Sequence, residues 1–131
     1  MNPIKVLWAD DEMELLKPHL LFLQQKGYEV IPVISGDEAL EVLQQDNRIQ
    51  VVLLDENMPG LSGLETLLRI KKIRESLPVI MITKSEEEQV MEDAIGSKIA
   101  DYLIKPVNPH QILLALKKVV DGGRLLDEKT Q

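Results

Sequence analysis

VVLLDENMPGLSGLE, residues 51–65, is the stretch whose reading decides the fold. Val51 to Leu54 is a short unbroken apolar run, which suits a strand buried on both faces, and it ends at Asp55. Asn57-Met58-Pro59-Gly60 reads as a loop, and Ser62-Gly63-Leu64-Glu65 as a Ser-x-x-Glu capping box opening a helix. Strand, acid, loop and capped helix, in that order, make one βα unit with a carboxylate at the carboxyl end of its strand.

The same unit recurs on both sides. Ile4 to Ala9 is a strand followed directly by acids, and from Met13 the residues Leu15, Leu16, Leu20, Phe22 and Leu23 fall at roughly helical spacing until Gly27, placed as a helix stop. Pro18 lacks the N–H that a helix interior needs, so it is expected to kink the first turns or delay the start. Tyr28 to Ile34 is the second strand, with Ser35 and Glu38 as a capping pair. Pro78 to Ile82 is the fourth, with Ser85 and Glu88 as another pair, and Tyr102 to Ile104 the fifth, before Asn108 as N-cap and Pro109 at the first helical position. Strands alternating with helices imply an α/β fold: a doubly wound five-stranded parallel sheet with right-handed crossovers, in the flavodoxin-like order 2-1-3-4-5. Asp121-Gly122-Gly123-Arg124 is expected to break the last helix. Residues 1–121 then form the domain, and 122–131 a linker or C-terminal tail; if it is a linker, the natural protein continues.

Composition narrows the class. The 131 residues suit one domain, 44% hydrophobic and 28% charged, with no apolar stretch of membrane-spanning length. Cysteine is absent, which removes disulfides and thiolate sites. No signal peptide precedes the first strand, so a cytoplasmic location is expected. A formal net charge of −7 repels a phosphate backbone and disfavours direct nucleic-acid binding by this domain.

The conspicuous polar residues all fall at strand carboxyl ends: Asp10 and Asp11 after the first, Asp55 after the third, Thr83 after the fourth, Lys105 after the fifth. Ligands of open parallel sheets bind there, where strand order reverses, and strands about 4.8 Å apart let these side chains surround one small ligand. Three carboxylates at one point repel one another unless a cation enters, and hard oxygen donors select Mg²⁺. With that cation, Lys105 and the Thr83 hydroxyl supply the charge neutralisation that phosphoryl transfer onto Asp55 requires. Singly, each residue has an ordinary reading: Asp10 or Asp11 as a helix cap, Lys105 and Thr83 as surface and strand-end residues, Tyr102 as packing. Glu86 to Glu88 suit a solvated first helical turn, and Trp8 a core position whose side chain points the same way as that of Asp10. His19 and His110 lie on separate helices, away from the strand ends, without metal-ligand spacing.

As a set, Asp10-Asp11-Glu12, Asp55-x-x-Met58-Pro59-x-x-x-Gly63, Thr83 and Asp101-Tyr102-x-x-Lys105-Pro106 resemble the CheY-like receiver domains of two-component response regulators, over about residues 4 to 121. The resemblance implies that Asp55 is the phosphoacceptor. It implies that Asp11, Asp55 and the Asn57 backbone carbonyl bind Mg²⁺ directly, with Asp10 acting through a metal-bound water. Thr83 and Tyr102 would be the switch pair, Lys105-Pro106 a cis peptide, and Asn57, Lys84 and Ser85 the residues bordering the entrance and modulating rates. A sensor histidine kinase or small phosphodonor would supply the phosphoryl group, and an output surface on the fourth helix, fifth strand and fifth helix would respond. Such a domain is no enzyme beyond its own phosphorylation and dephosphorylation. Ile82 through Pro109 is also similar to receivers of the PorX type, which are attached to a phosphatase-like effector, so a C-terminal effector domain is expected.

Two departures bear on this. Lys84 stands where many receivers carry Ala or Gly, which motivates the alternative of a phosphorylation-independent adaptor of the same fold. Ser97-Lys98-Ile99-Ala100 replaces a commoner Gly-Ala, so a phosphorylation-dependent dimer through the fourth helix and fifth strand is possible in this family but not implied by these residues. A flavin-binding flavodoxin is disfavoured by acids where its phosphate loop would lie. A haloacid-dehalogenase-like hydrolase needs Asp-x-Asp rather than adjacent acids, and no P-loop motif occurs.

Overall fold

The computed structural model describes residues 3–84 and 98–130, with 123–130 as backbone. Five parallel strands form one sheet in the order β2-β1-β3-β4-β5, with β1 at Ile4–Ala9, β2 at Tyr28–Val33, β3 at Val51–Asp55, β4 at Val79–Thr83 and β5 at Asp101–Ile104. β1 and β3 are neighbours, so the strand order reverses where Asp10 and Asp55 emerge. The strands differ from expectation only at their ends: β4 starts and stops one residue later, β2 stops one earlier, and β5 begins at Asp101.

Alternation along each strand sends side chains to two cores. Leu7, Ala9, Val52, Leu54, Val79 and Met81 meet Ala39 and Leu43 of α2 (Gly36–Gln45) and Leu67 and Ile70 of α3 (Gly63–Ile73). On the other face Val6, Trp8, Val51, Leu53, Ile80 and Ile82 meet Leu23 of α1 (Lys17–Gln25) and Ile112 and Leu116 of the C-terminal helix (Pro109–Thr130). Each such fully buried Leu or Ile contributes about 1.5–3 kcal/mol, which is why β1, β3 and β4 read as apolar runs rather than alternating ones.

The helix starts follow the sequence. Ser35 Oγ accepts from the Glu38 N–H at 3.2 Å and Ser62 Oγ from the Glu65 N–H at 3.1 Å. Asn108 Oδ1 accepts from the Gln111 N–H while Gln111 Oε1 accepts from the Asn108 N–H, both at 2.9 Å, a reciprocal box that a search for Glu at the third position overlooks. Pro18 delays α1: a 3₁₀ turn over Met13–Leu16 precedes it, and the proline takes the first turn, where no N–H is required. Gly27, at φ 94°, ends the connection in the left-handed region.

The expected helix break at Asp121-Gly122-Gly123-Arg124 is not observed. The C-terminal helix runs through both glycines to Thr130. Glycine costs roughly 1 kcal/mol in a helix interior but keeps its N–H, so it weakens the ladder without interrupting it as proline would. The capping pair expected at Ser85 and Glu88, and the Glu86 to Glu88 turn, lie outside the described residues.

Candidate functional site

β1 and β3 deliver the acids. Asp10 follows β1 and Asp55 closes β3, and both are almost fully buried, at 2% and 1% exposure, among the apolar ends of the central strands. Asp11 is exposed beside them, and one carboxylate oxygen from each of the three lies within 4.8 Å of the others. Asp10 and Asp55 share strand parity with Trp8 and Leu53, and Lys105 shares that of Leu103, so all three belong to the α1 and C-terminal-helix face of the sheet.

Each carboxylate is held by one oxygen. Asp10 Oδ1 accepts from the Glu12 N–H at 2.8 Å, and Asp55 Oδ1 from the Asn57 N–H at 3.2 Å. The second oxygens turn toward Lys105, whose Nζ stands 3.4 Å from Asp10 Oδ2 and 3.3 Å from Asp55 Oδ2. That last contact is an ion pair without hydrogen-bond alignment, and Asp55 Oδ2 is a buried oxygen with no hydrogen bond. The Asp55 carboxyl is raised to about 6, chiefly by burial and next by the Asp10 charge, while Lys105 opposes both. Burial works to lower the Lys105 ammonium, but Asp55 and Asp10 outweigh it and hold it above the usual range.

Thr83 ends β4, fully buried, and its hydroxyl has no partner. The Lys105 N–H donates to its carbonyl at 2.6 Å, tying the start of the last loop to β4, and the Lys105-Pro106 peptide is cis. Tyr102 is half-buried, paired with Met81 and packed against the α2 and α3 core. Lys84 is exposed, whereas Ser85 lies outside the described residues.

Gly63 explains the spacing of the Asp55 loop. A Cβ there would stand 2.6 Å from the Asp55 carbonyl oxygen and 2.6 Å from Glu56 Cα, and its N–H donates to the Glu56 carbonyl at 3.0 Å. α3 therefore starts directly against the acid-bearing loop. His19 is the residue whose position the sequence misplaces. Its Nε2 donates to the Val107 carbonyl at 2.8 Å, which brings it beside the site instead of away from the strand ends. No local signal announces a hydrogen bond that spans 88 positions. His110 packs edge-on to Phe22, with ring centroids 4.9 Å apart, clear of the acids.

A doubly wound parallel sheet with an acidic pocket and a lysine at its strand-order reversal defines a class of small signalling domains. The chain belongs to the response regulator receiver domain family, which matches residues 6–117. Among solved structures it is 32% identical to a receiver domain protein from Clostridium thermocellum, with TM-score 0.84 over 94% of this chain and 98% of that one. It is 29% identical to the response regulator TrrA of Thermotoga maritima, determined in complex with Mg²⁺ and BeF, with TM-score 0.78 over 88% and 98% of the two chains. The transcriptional regulatory protein ResD of Bacillus subtilis is 29% identical over 91% of this chain and 49% of its own length. The chain thus spans about half the length of the curated relatives it matches. Its place is in two-component signalling, as a receiver. Among the described residues no helix is long and apolar enough to cross a membrane.

Proposed function

We propose that Asp55 is the phosphoacceptor, taking a phosphoryl group from a sensor histidine kinase or a small phosphodonor in the cytoplasm. The observation that carries this is Asp55 Oδ2: buried, without a hydrogen bond, 3.3 Å from Lys105 and grouped with Asp10 and Asp11. With its carboxyl near 6, Asp55 is mostly ionised at neutral pH, and Oδ1 is occupied by the Asn57 N–H, so Oδ2 is the oxygen left to attack. Its bond to phosphorus forms as the donor's phosphorus–nitrogen or phosphorus–oxygen bond breaks, the leaving imidazole or acetate keeping that electron pair. Lys105 faces the charge on the transferred group, and the unpartnered Thr83 hydroxyl has a hydrogen to donate to one of its oxygens. Attack of water on the acyl phosphate restores the carboxylate and releases phosphate.

The donor set fits Mg²⁺. Carboxylate oxygens of Asp10, Asp11 and Asp55 lie within 4.8 Å of one another, so Asp11, Asp55 and the Asn57 carbonyl, with Asp10 beside them, would hold it. A bound Mg²⁺ supplies the positive charge that the phosphoryl oxygens and clustered carboxylates need. Thr83 and Tyr102 would form the switch pair, with Asn57, Lys84 and Ser85 setting access. Phosphorylation would then shift the population toward a conformer with an altered fifth-strand and C-terminal-helix face, read by a C-terminal effector domain following residues 1–121. The fourth-helix part of that face lies outside the described residues.

Incubation with acetyl phosphate and Mg²⁺, followed by intact-mass measurement, tests the assignment. One phosphoryl group is expected on the wild type and none on Asp55→Asn or in EDTA; an undiminished gain on Asp55→Asn would overturn it.

A further inference from the structure

The loop after β5 brings Lys105 to the acids, and hydrogen bonds pin it at both ends and in the middle. The Lys105 N–H donates to the Thr83 carbonyl at 2.6 Å, which ties the start of the loop to β4. Asn108 and Gln111 close its far end into the C-terminal helix through their paired bonds at 2.9 Å. Between these ends Pro106 has no N–H to give, and the Val107 carbonyl accepts from His19 Nε2 at 2.8 Å. That bond joins the loop to α1.

His19 is itself fixed from the side of β1. It is half-buried near the start of α1, and its ring meets that of Trp8 edge-on, with centroids 6.1 Å apart at 73°. Trp8 is 1% exposed and stands two residues before Asp10. The Val107 carbonyl can only accept, so the hydrogen sits on Nε2. One imidazole therefore spans from the strand that leads to Asp10 to the loop that bears Lys105. A partly buried histidine with a satisfied nitrogen is common as plain packing; the place where this bond lands sets it apart. Val107 lies two residues past Lys105, whose Nζ stands 3.4 Å from Asp10 Oδ2 and 3.3 Å from Asp55 Oδ2. A lysine ammonium rides on a flexible four-carbon stem, so its reach to both carboxylates depends on where the loop holds the Cα.

We propose that His19 is a positioning residue for phosphoryl transfer: by holding the Val107 carbonyl it sets the place of the Lys105 backbone, and thereby the approach of the Lys105 ammonium to Asp55 Oδ2 and to the oxygens of the transferred group. This rests on the reading of Asp55 as the phosphoacceptor. His19 acts through Lys105 and needs no contact with the donor.

The test is the rate of phosphorylation by acetyl phosphate at saturating Mg²⁺, followed by intact mass, in a double-mutant cycle. His19→Phe keeps a ring against Trp8 and removes the donor; His19→Gln keeps an N–H donor at a similar reach. His19→Phe should slow phosphorylation at least ~10-fold, since a displacement of about 1 Å at a reacting group is enough for such a loss. His19→Gln should recover most of the rate. In a Lys105→Ala background the same His19→Phe change should alter the rate by less than ~2-fold, because the group through which it acts is gone. A merely structural role would slow both backgrounds alike. Equal slowing in the two backgrounds, or a wild-type rate in folded His19→Phe, would overturn the proposal, and His19→Leu replaces the phenylalanine variant in the cycle if that one fails to fold. An undiminished mass gain on Asp55→Asn is a separate result, which would overturn the phosphoacceptor reading and this proposal with it.

Discussion

Asp55 Oδ1 is held by the Asn57 N–H at 3.2 Å, while Oδ2 has only the unaligned Lys105 ammonium at 3.3 Å, so ionisation in the folded protein is under-compensated. The carboxyl rises from 3.8 to about 6, with burial the largest cause and Asp10 the next. The folded state therefore binds the proton more tightly than the unfolded chain, and the associated stability is present below about pH 4 and lost as pH rises through about 6. Asp55→Asn, which removes the ionising group, is expected to be more stable than the wild type in EDTA at pH 7, by on the order of 2 kcal/mol. Denaturant melts should show this advantage shrinking toward pH 4; an advantage that persists unchanged there would mean that desolvation of the charge is not its source.

The elements meet through a few close approaches that carry the site. α3 starts against the Asp55 loop because Gly63 has no Cβ, and a methyl group there would stand 2.6 Å from two backbone atoms that cannot rotate away. Gly63→Ala is expected to cost about 1–3 kcal/mol in chemical denaturation and to weaken Mg²⁺ binding by displacing the loop; unchanged stability would show that the loop yields freely. At the opposite end of the sheet, Lys5 of β1 hydrogen-bonds Asp46 at the end of α2 and lies 3.5 Å from Glu29 of β2. The Lys5 contact, then the Arg48 N–H at 2.9 Å, lowers the Asp46 carboxyl from 3.8 to about 2. A depressed folded-state value makes this contribution present above about pH 4 and lost as pH falls toward 2. Asp46→Asn should accordingly melt below the wild type at pH 7, with the two curves converging near pH 2.

Over the whole molecule, a net charge of −7 and a pocket of three carboxylates work against the compact state until cations enter. A cation that binds only the folded protein stabilises it by mass action, about 2.7 kcal/mol at a hundred times its dissociation constant. Mg²⁺ should raise the melting temperature by several degrees beyond the effect of KCl at equal ionic strength, and the double variant Asp10→Asn, Asp11→Asn should respond to both salts alike. An equal response in the wild type would reduce the effect to general screening.

Much of this was settled by residues within a few positions of one another. An apolar run ending in an acid, then a loop and a Ser-x-x-Glu box, fixes strand, site position and helix start without reference to distant residues, because burial on both faces and satisfaction of the first helical N–H groups are local demands. The parallel arrangement followed from the alternation of the units, and the meeting of Asp10, Asp55 and Lys105 from the strand order. The helix through Gly122 and Gly123 was not legible, since propensity assigns a glycine a cost but does not decide whether the helix continues past it. Nor were the approach of Gly63 to Asp55, the bond from His19 to Val107, or the unpaired nitrogens of Trp8 and His19. Those depend on where side chains far apart in sequence come to rest once both faces of the sheet are packed, and only the tertiary structure sets such distances.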